Sequence, residues 1–522
     1  DHSHADDDVD DDDDMTNHNN RDNNEKKPNN TDSTNVIKDD GALAKLSTTS
    51  TKSDKWKKLT VLFLIINIGF PLYLAYNTPT SMVKLLDTLY DMDAEQFSRL
   101  YSVYALPNLI MVFLGGILVD LFGANKCSII FQSILFSSAI LAALSSLNTS
   151  YSMLLFSRVL LGIGGETLLV CVSTFIAQWF SSNEMPFVMG IESTWVQFAS
   201  LLAFGALPSL REATSIPFTL WFVAFVALTA LVLNIVFVVF QSKLRYNNDE
   251  QNNYNNLESK VEELGIDDDT LPETDPDAFN IQQMEVIQLK DDDVDENAPI
   301  DVSSMSSLQR VKHELWKAVS LIKDIPQKMW IHAVICFFGY SAFYGLDIIA
   351  TDMIIEKYGY TDARAAMVMA SETLCTGLMG PLFGYAIKRT EMRATIVGIG
   401  IIIMGVGIII LTLTTSTPFP WYVVIMSGFG YGMMNNGLMS SVPLIVEERI
   451  IGTSYGLVGT SYNVGIVLFP LILGVCRKTF GNYNFAMWIL VLSSILALVF
   501  LLWLKMLDLK QTDNSKRLDK KR

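Results

Sequence analysis

The chain has 522 residues, half of them hydrophobic, and a mean hydropathy of +0.31, yet its formal net charge is -17. Those values are compatible only if charge is segregated, and it is: residues 6–14 are almost all aspartate and 267–295 are rich in acids, apart from long apolar runs. The acidic balance disfavours nucleic-acid binding, and the five cysteines lie in or at the ends of apolar segments without CxxC or zinc-ligand spacing, so no metal or cofactor is expected.

Residues 1–55 are Asp, Asn, Ser and Thr with hardly any large apolar side chains, which cannot offset ordering entropy, so they read as a disordered acidic tail. His2, His4 and His18 beside the aspartates read as part of that solvated tail. The start is polar, so the first apolar run, from Leu59, is expected to act as its own insertion signal.

From there, apolar runs long enough for a hydrocarbon core of about 30 Å recur at 59–80, 97–119, 126–147, 152–179, 186–208 and 217–240. After a gap they resume at 329–351, 364–387, 394–414, 420–446, 451–474 and 485–506. The expected fold is an all-α polytopic membrane protein with twelve transmembrane helices in two six-helix bundles. Its parts are an N-terminal bundle over 56–240, a loop over 241–328, a C-terminal bundle over 329–507 and a basic tail over 508–522. Within the acidic loop, Leu308, Val311, Leu315, Val319 and Ile322 recur at helical spacing with Lys312, Lys317 and Lys323 between them, the pattern of a helix lying on a membrane surface. Tyr254 to Leu257 has the form of a tyrosine sorting signal, and Asn148 opens a sequon in a loop too short to be glycosylated.

Lysines and arginines concentrate on one side of these spans, with Lys55, Lys57, Lys58, Lys126, Lys243, Arg245, Lys388, Arg389, Arg393, Arg449 and Lys505. The positive-inside bias therefore predicts cytosolic termini and a cytosolic central loop. Two halves of even span number argue for an internal repeat, the way many secondary transporters are built. No HExxH, CxxC or phosphate-cradling glycine loop stands in an enzymatic context.

Ionisable and polar residues inside spans are costly and mark solute or proton paths by default. Glu166 lies near the middle of the fourth span among Gly162, Gly164 and Gly165, two helical turns from Arg158. Glu192 and Gln197 lie in the fifth span, where Glu192 could equally snorkel to the surface. Asp347 and Glu372 lie in the seventh and eighth, and Asp347 could equally sit at the luminal mouth. Asn435 and Asn436 follow a glycine-rich run and could serve substrate or bond between helices. Tyr76, Tyr104 and Tyr344 could line a cavity or anchor at the interface. The cavity so defined has more acids than bases and suits an amino-bearing solute.

Gly116, Asp120 and Gly123, followed by Lys126, resemble the loop between helices two and three of the major facilitator superfamily, and the second half repeats it imperfectly at Gly380, Gly384 and Lys388, with Glu391 in place of the later glycine. Arg158 and Gly162 fit that superfamily's fourth helix. YNTP from Tyr76, LYSVYALPN from Leu100, GIGGET from Gly162, EKYGY from Glu356 and GTSYG from Gly452 narrow the resemblance to the branch containing the lysosomal dipeptide uniporter, over about residues 59–507.

The resemblance implies a carrier that exports dipeptides, especially cationic ones, from lysosome lumen to cytosol by alternating access. It implies Gly116, Asp120 and Gly123 as a conformational latch and Glu166 as the holder of the peptide amino group; Arg158, Tyr76, Asn77, Tyr104, Glu192, Asp347, Asn435 and Asn436 stand beside it as further candidate binding residues. Where the family has an arginine for the peptide carboxylate this chain has Gln197, which leaves that role to Arg158 or the substrate class open. The expected partners are the small solute, membrane lipid and, by resemblance, a heavily glycosylated single-span luminal subunit; a homodimer is also compatible. Other amino-bearing or organic cations, coupling to protons, and a transporter-shaped nutrient sensor remain alternative readings.

Overall fold

The computed structural model describes residues 52–92, 94–263, 316, 320–360, 362–414, 421–511 and 513–520. The acidic tail over 1–51 and most of the 264–319 segment, with the expected surface helix, therefore lie outside the described residues.

The helices are α1 (Lys52–Ser81), α2 (Val83–Tyr90), α3 (Ala94–Phe122), α4 (Ala124–Leu147), α5 (Tyr151–Trp179), α6 (Met185–Ala213) and α7 (Ile216–Glu263). The second half has α8 (Gln327–Tyr358), α9 (Asp362–Thr390), α10 (Arg393–Leu413), α11 (Trp421–Ile445), α12 (Ile451–Phe480) and α13 (Asn484–Leu509). All but the short α2 are long, and among the described residues ten are long and apolar enough to cross a membrane by length and composition. The other two long helices are α9, with Arg364, Glu372, Lys388 and Arg389, and α11, with Asn435 and Asn436.

Two elements differ from the pattern of apolar runs. The helix begun by the sixth run continues to Glu263, because the polar stretch after Phe240 contains no glycine or proline to end it. A short amphipathic helix, α2, follows α1 and buries Leu86 and Tyr90 against Leu154 and Leu220. Turn chemistry punctuates the rest. Ser150 caps α5 by accepting from the Met153 amide, and α8 and α12 end on left-handed Gly359 and Gly481. Lys357, next to the first of these, donates to the carbonyls of Leu411 and Thr412 at the end of α10.

The chain alternates direction, so α1, α4, α6, α8, α10 and α12 start at the end of the molecule that carries the termini, and α3, α5, α7, α9, α11 and α13 finish there. At this terminal end Lys58 pairs with Glu184, which caps the turn into α6 through Ser181. Partial burial pushes the Glu184 carboxyl up, but the Lys58 ammonium and the Ser181 donors outweigh it and hold it below its ordinary value.

Two seams join the halves, α3 against α12 and α6 against α9. Both are built of glycine. Gly116 lies on the backbone of Gly452 and Gly456, Gly190 on that of Gly380 and Pro381, and Gly384 on that of Pro186 and Phe187. A side chain at any of these positions would run into backbone that has no room to yield. Glycine here permits helix axes to approach closely, which in a bilayer replaces the missing hydrophobic drive with van der Waals contact.

The seams' tightest points lie in the terminal-end part of each helix, and Asp120 adds to them. Its carboxylate accepts from the amides of Gly452 at 2.8 Å and Thr453 at 2.6 Å, the first turn of α12. Ile117, Leu321 and Ile450 pack beside it. The terminal end is thus closed.

Gly190→Val and Gly384→Val are expected to destabilise this closed arrangement by about 1–3 kcal/mol each through overpacking. A lowered midpoint of thermal unfolding of the purified protein checks this, and an unchanged midpoint would mean the bundles separate there at little cost.

Candidate functional site

The site is built around Glu166 at the middle of α5. Gly162, one turn earlier, lets the Tyr104 backbone approach α5 so closely that no side chain would fit between them. That approach brings the Tyr104 hydroxyl to Glu166 Oε1 at 2.7 Å. The other carboxylate oxygen accepts from Tyr462 of α12 at 2.8 Å. One donor comes from each bundle, so Glu166 is bonded across the interface between the halves.

Phenols continue from this pair on both sides. Tyr76 packs on Tyr101 and Tyr104, with ring centroids 5.4 and 4.9 Å away. In the C-terminal bundle Tyr340 lies 5.3 Å from Tyr462 and 5.8 Å from Tyr431, and its hydroxyl donates to Asn435 Oδ1 at 2.6 Å. Tyr344 and Tyr431 share a hydrogen bond of 3.1 Å. Tyr462, Tyr340 and Tyr431 are absent from the sequence-derived site. Their legible signal is position, since a tyrosine at mid-span cannot be an interfacial anchor.

Arg158 lies two turns from Glu166, away from the terminal end. It is 5 % exposed, its Nη1 donates to the Ala75 carbonyl at 3.0 Å, and its Nε has no partner. No carboxylate pairs with it among the described residues; Tyr76, Tyr90, Tyr101 and Tyr104 are its electrostatic neighbours. A cavity of about 20 Å³ adjoins it, with Thr78, Ser138 and Ser157 in its wall. That is room for roughly one water.

Asp347 is exposed to solvent although protein surrounds it closely, so it lines a concavity rather than the outer face. It interacts electrostatically with Tyr76, Tyr344 and Tyr431, so it belongs to the same chamber as Glu166. Glu372 is 2 % exposed and lies against Ser427 and Gly428, within electrostatic reach of Asp347.

Apart from Glu192, which shares Tyr73 as an electrostatic neighbour with Glu166, the other candidates fall in the framework. Asn77 donates to the Tyr73 carbonyl and to Ser200, tying α1 to α6. Asn436 donates to the carbonyls of Gly380 and Gly432 and is buried between α9 and α11. Gln197 lies in the α6–α9 seam against Gly377, whose carbonyl accepts from Thr194. Glu192 stands on α6 facing Gly69 of α1. Gly116 and Asp120 lie in the α3–α12 seam, and Gly123 is the left-handed residue, φ 85°, that turns the chain into α4.

Two helical bundles seamed together around a shared set of buried phenols and carboxylates are the architecture of a membrane carrier, and no group of residues that could hold a metal ion is present among the described residues. The sequence profile of the Major Facilitator Superfamily matches residues 65–470 and again 333–522. The chain belongs to the Major Facilitator Superfamily and is a transporter rather than an enzyme.

It is related to the lysosomal dipeptide transporter MFSD1 of Bos taurus, with 23% identity over 476 residues, 89% of each chain. The MFSD1 of Danio rerio is 22% identical over 429 residues, 80% of each. Among solved structures, the human organic anion transporter MFSD10 shares the fold, with a TM-score of 0.58 at 13% identity over 86% of this chain and 99% of that one.

Tyr462→Phe removes the donor that reaches Glu166 from the other bundle and is expected to weaken the closed arrangement by about 1.5–3 kcal/mol, as for a bond to a charged group. Thermal unfolding of Tyr462→Phe and Tyr104→Phe, singly and together, measures the coupling. Strict additivity of the two would mean that the carboxylate does not link them.

Proposed function

We propose that this protein carries dipeptides, favouring cationic ones, from the lysosome lumen to the cytosol. The observation that carries the reading is a pair of uncompensated groups on α5: a carboxylate held by two phenols and, two turns away, a buried guanidinium with no acid beside it among the described residues. A free dipeptide offers the complement of both, an ammonium at one end and a carboxylate at the other.

The spacing suits that solute. Eight residues of helix separate Arg158 from Glu166, roughly 12 Å along the axis at 1.5 Å per residue. That is too long for the two side chains to neutralise each other directly. Two residues of extended peptide span roughly 7 Å, and the Arg and Glu side chains cover the remainder. Asp347 on the chamber wall would then meet a cationic substrate side chain. Arg158 replaces, in this scheme, the family arginine whose place Gln197 holds.

With cytosolic termini, as the lysine and arginine distribution predicts, the closed terminal end is the cytosolic one and the chamber opens to the lumen. The ammonium of a bound peptide competes with the Tyr462 and Tyr104 hydroxyls for Glu166. Tyr462 belongs to the other bundle, so substrate arrival alters a bond that holds the halves together. Such a differential contact is what a ligand needs to shift the balance between two conformations. Rocking about the seams then exposes the same site to the cytosol. The lysosomal address rests on the relatives being lysosomal transporters. A glycosylated single-span subunit, a homodimer and surrounding lipid are compatible with it.

Gln197 in place of arginine favours a second reading, a carrier for amino-bearing solutes without a carboxylate. Uptake of dipeptides and of their carboxyl-amidated forms into proteoliposomes separates the two. The proposal expects Glu166→Gln to lose at least tenfold in uptake of Lys-containing dipeptides, and Arg158→Lys to lose more for the free acid than for the amide, about 1.4 kcal/mol per tenfold step. Wild-type uptake by Glu166→Gln overturns the assignment of the amino-group site, and equal loss for acid and amide in Arg158→Lys overturns that of the carboxylate site.

A further inference from the structure

The basic segment after α13 is folded onto the terminal end of the protein. Asn514–Lys516 form a single 3-10 turn, Arg517 returns to the carbonyl of Gln511, and Leu518 is buried at 2 % exposure. From there the chain runs beside the start of α10. The Arg393 amide donates to the Leu518 carbonyl at 3.1 Å, and the Lys520 amide to the Glu391 carbonyl at 3.2 Å. Asp519 accepts from the Thr395 amide at 3.2 Å and hydroxyl at 2.6 Å, and pairs with Lys505 at 2.8 Å. Asp508 accepts from the Leu518 amide at 2.9 Å.

This segment also reaches the other bundle. Lys520 Nζ pairs with Glu391 at 3.0 Å and donates to Asn183 Oδ1 at 3.4 Å, and Asn183 lies in the turn between α5 and α6. Next to it, Arg393 donates from its guanidinium to the Ser182 carbonyl. Arg393 is 1 % exposed, and its Nε and Nη1 have no partner. The tail residues thus cover an arginine whose one guanidinium bond crosses between the bundles.

The strap also holds a strained residue. Glu391 has φ 56°, a left-handed conformation that is strained for a residue with a side chain. The equivalent turn in the first half uses Gly123, at φ 85°, where no such cost arises. Both the carbonyl and the carboxylate of Glu391 are taken up by Lys520, so the strained turn and the tail stabilise one another.

We propose that residues 513–520 are a strap that holds the terminal-end gate closed, with Lys520 clamping the Glu391 turn of one bundle to Asn183 of the other. Opening that gate separates the α5–α6 turn from the start of α10 and breaks the Lys520–Asn183 and Arg393–Ser182 bonds together. The strap therefore biases the carrier toward the state open at the opposite end, and releasing it favours opening at the terminal end.

The test reads gate opening without substrate, so its outcome is independent of which solute the protein carries. Val119, buried at 2 % exposure beside Gly452 in the α3–α12 seam, is replaced by cysteine, and its reaction with a membrane-impermeant maleimide applied from the terminal side is timed in proteoliposomes. The rate is corrected for protein with native cysteines only. Truncation after Lys510 is expected to raise the labelling rate about 5- to 30-fold, the factor for one or two lost contacts. Lys520→Glu, a change at the protein surface, should raise it in the same direction, and Lys520→Glu combined with Glu391→Lys should bring it back toward the unmodified rate. Equal labelling with and without the strap overturns the proposal, and so does a charge swap that leaves Lys520→Glu uncorrected.

Discussion

A carboxylate in the middle of a bilayer must be given partners, and most of this architecture follows from how Glu166 is given them. An unpaired charge there is too costly to keep, so the fold brings two phenol hydroxyls to it, one from each half. Neither could reach without close backbone approach. Tyr104 depends on Gly162, and Tyr462 depends on α12 lying against α3 through Gly116, Gly452 and Gly456. The bond that satisfies the acid and the packing that joins the bundles are therefore parts of one arrangement. Anything that competes for the acid acts on the joint as well.

The two halves share a topology and solve its turns differently. In the first half, Gly123 makes the left-handed turn for free and Asp120 caps the start of α12 in the other bundle. In the second half, Glu391 occupies the strained turn and its partner is the chain's own C-terminal segment. A side-chain cap is worth typically about 1 kcal/mol. A folded strap draws on several hydrogen bonds and two ion pairs, but also has its own ordering entropy to overcome. Closure at the terminal end thus rests on two unlike devices on either side of the pseudo-twofold.

The layout of the helices was legible because hydrocarbon thickness imposes one length on every span, and the spans at 126–147 and 394–414 match α4 and α10 to within two residues at each end. The extension of α7 to Glu263 was not, since its polar residues give no apolar period to read. Glu166 and Asp120 stood out because charge is rare in such segments. Tyr462 did not, because a phenol is unremarkable by composition and only its depth and its partner identify it. The strap was hidden for a related reason: a run such as KRLDKK reads as solvated, and nothing local indicates that Asp519 will meet Thr395 or that Leu518 will be buried. Long-range contacts between segments of low hydrophobicity leave no periodic trace.

The ring of phenols around the chamber has a bearing on selectivity. Tyr76, Tyr104, Tyr340, Tyr344, Tyr431 and Tyr462 present flat apolar faces with hydroxyls that both donate and accept. Surfaces of this kind adapt to side chains of many shapes and discriminate weakly among them. On the proposed function, such a wall would hold a guest by its charged ends and leave the middle of the guest free to vary, so breadth of cargo would be a property of the wall itself.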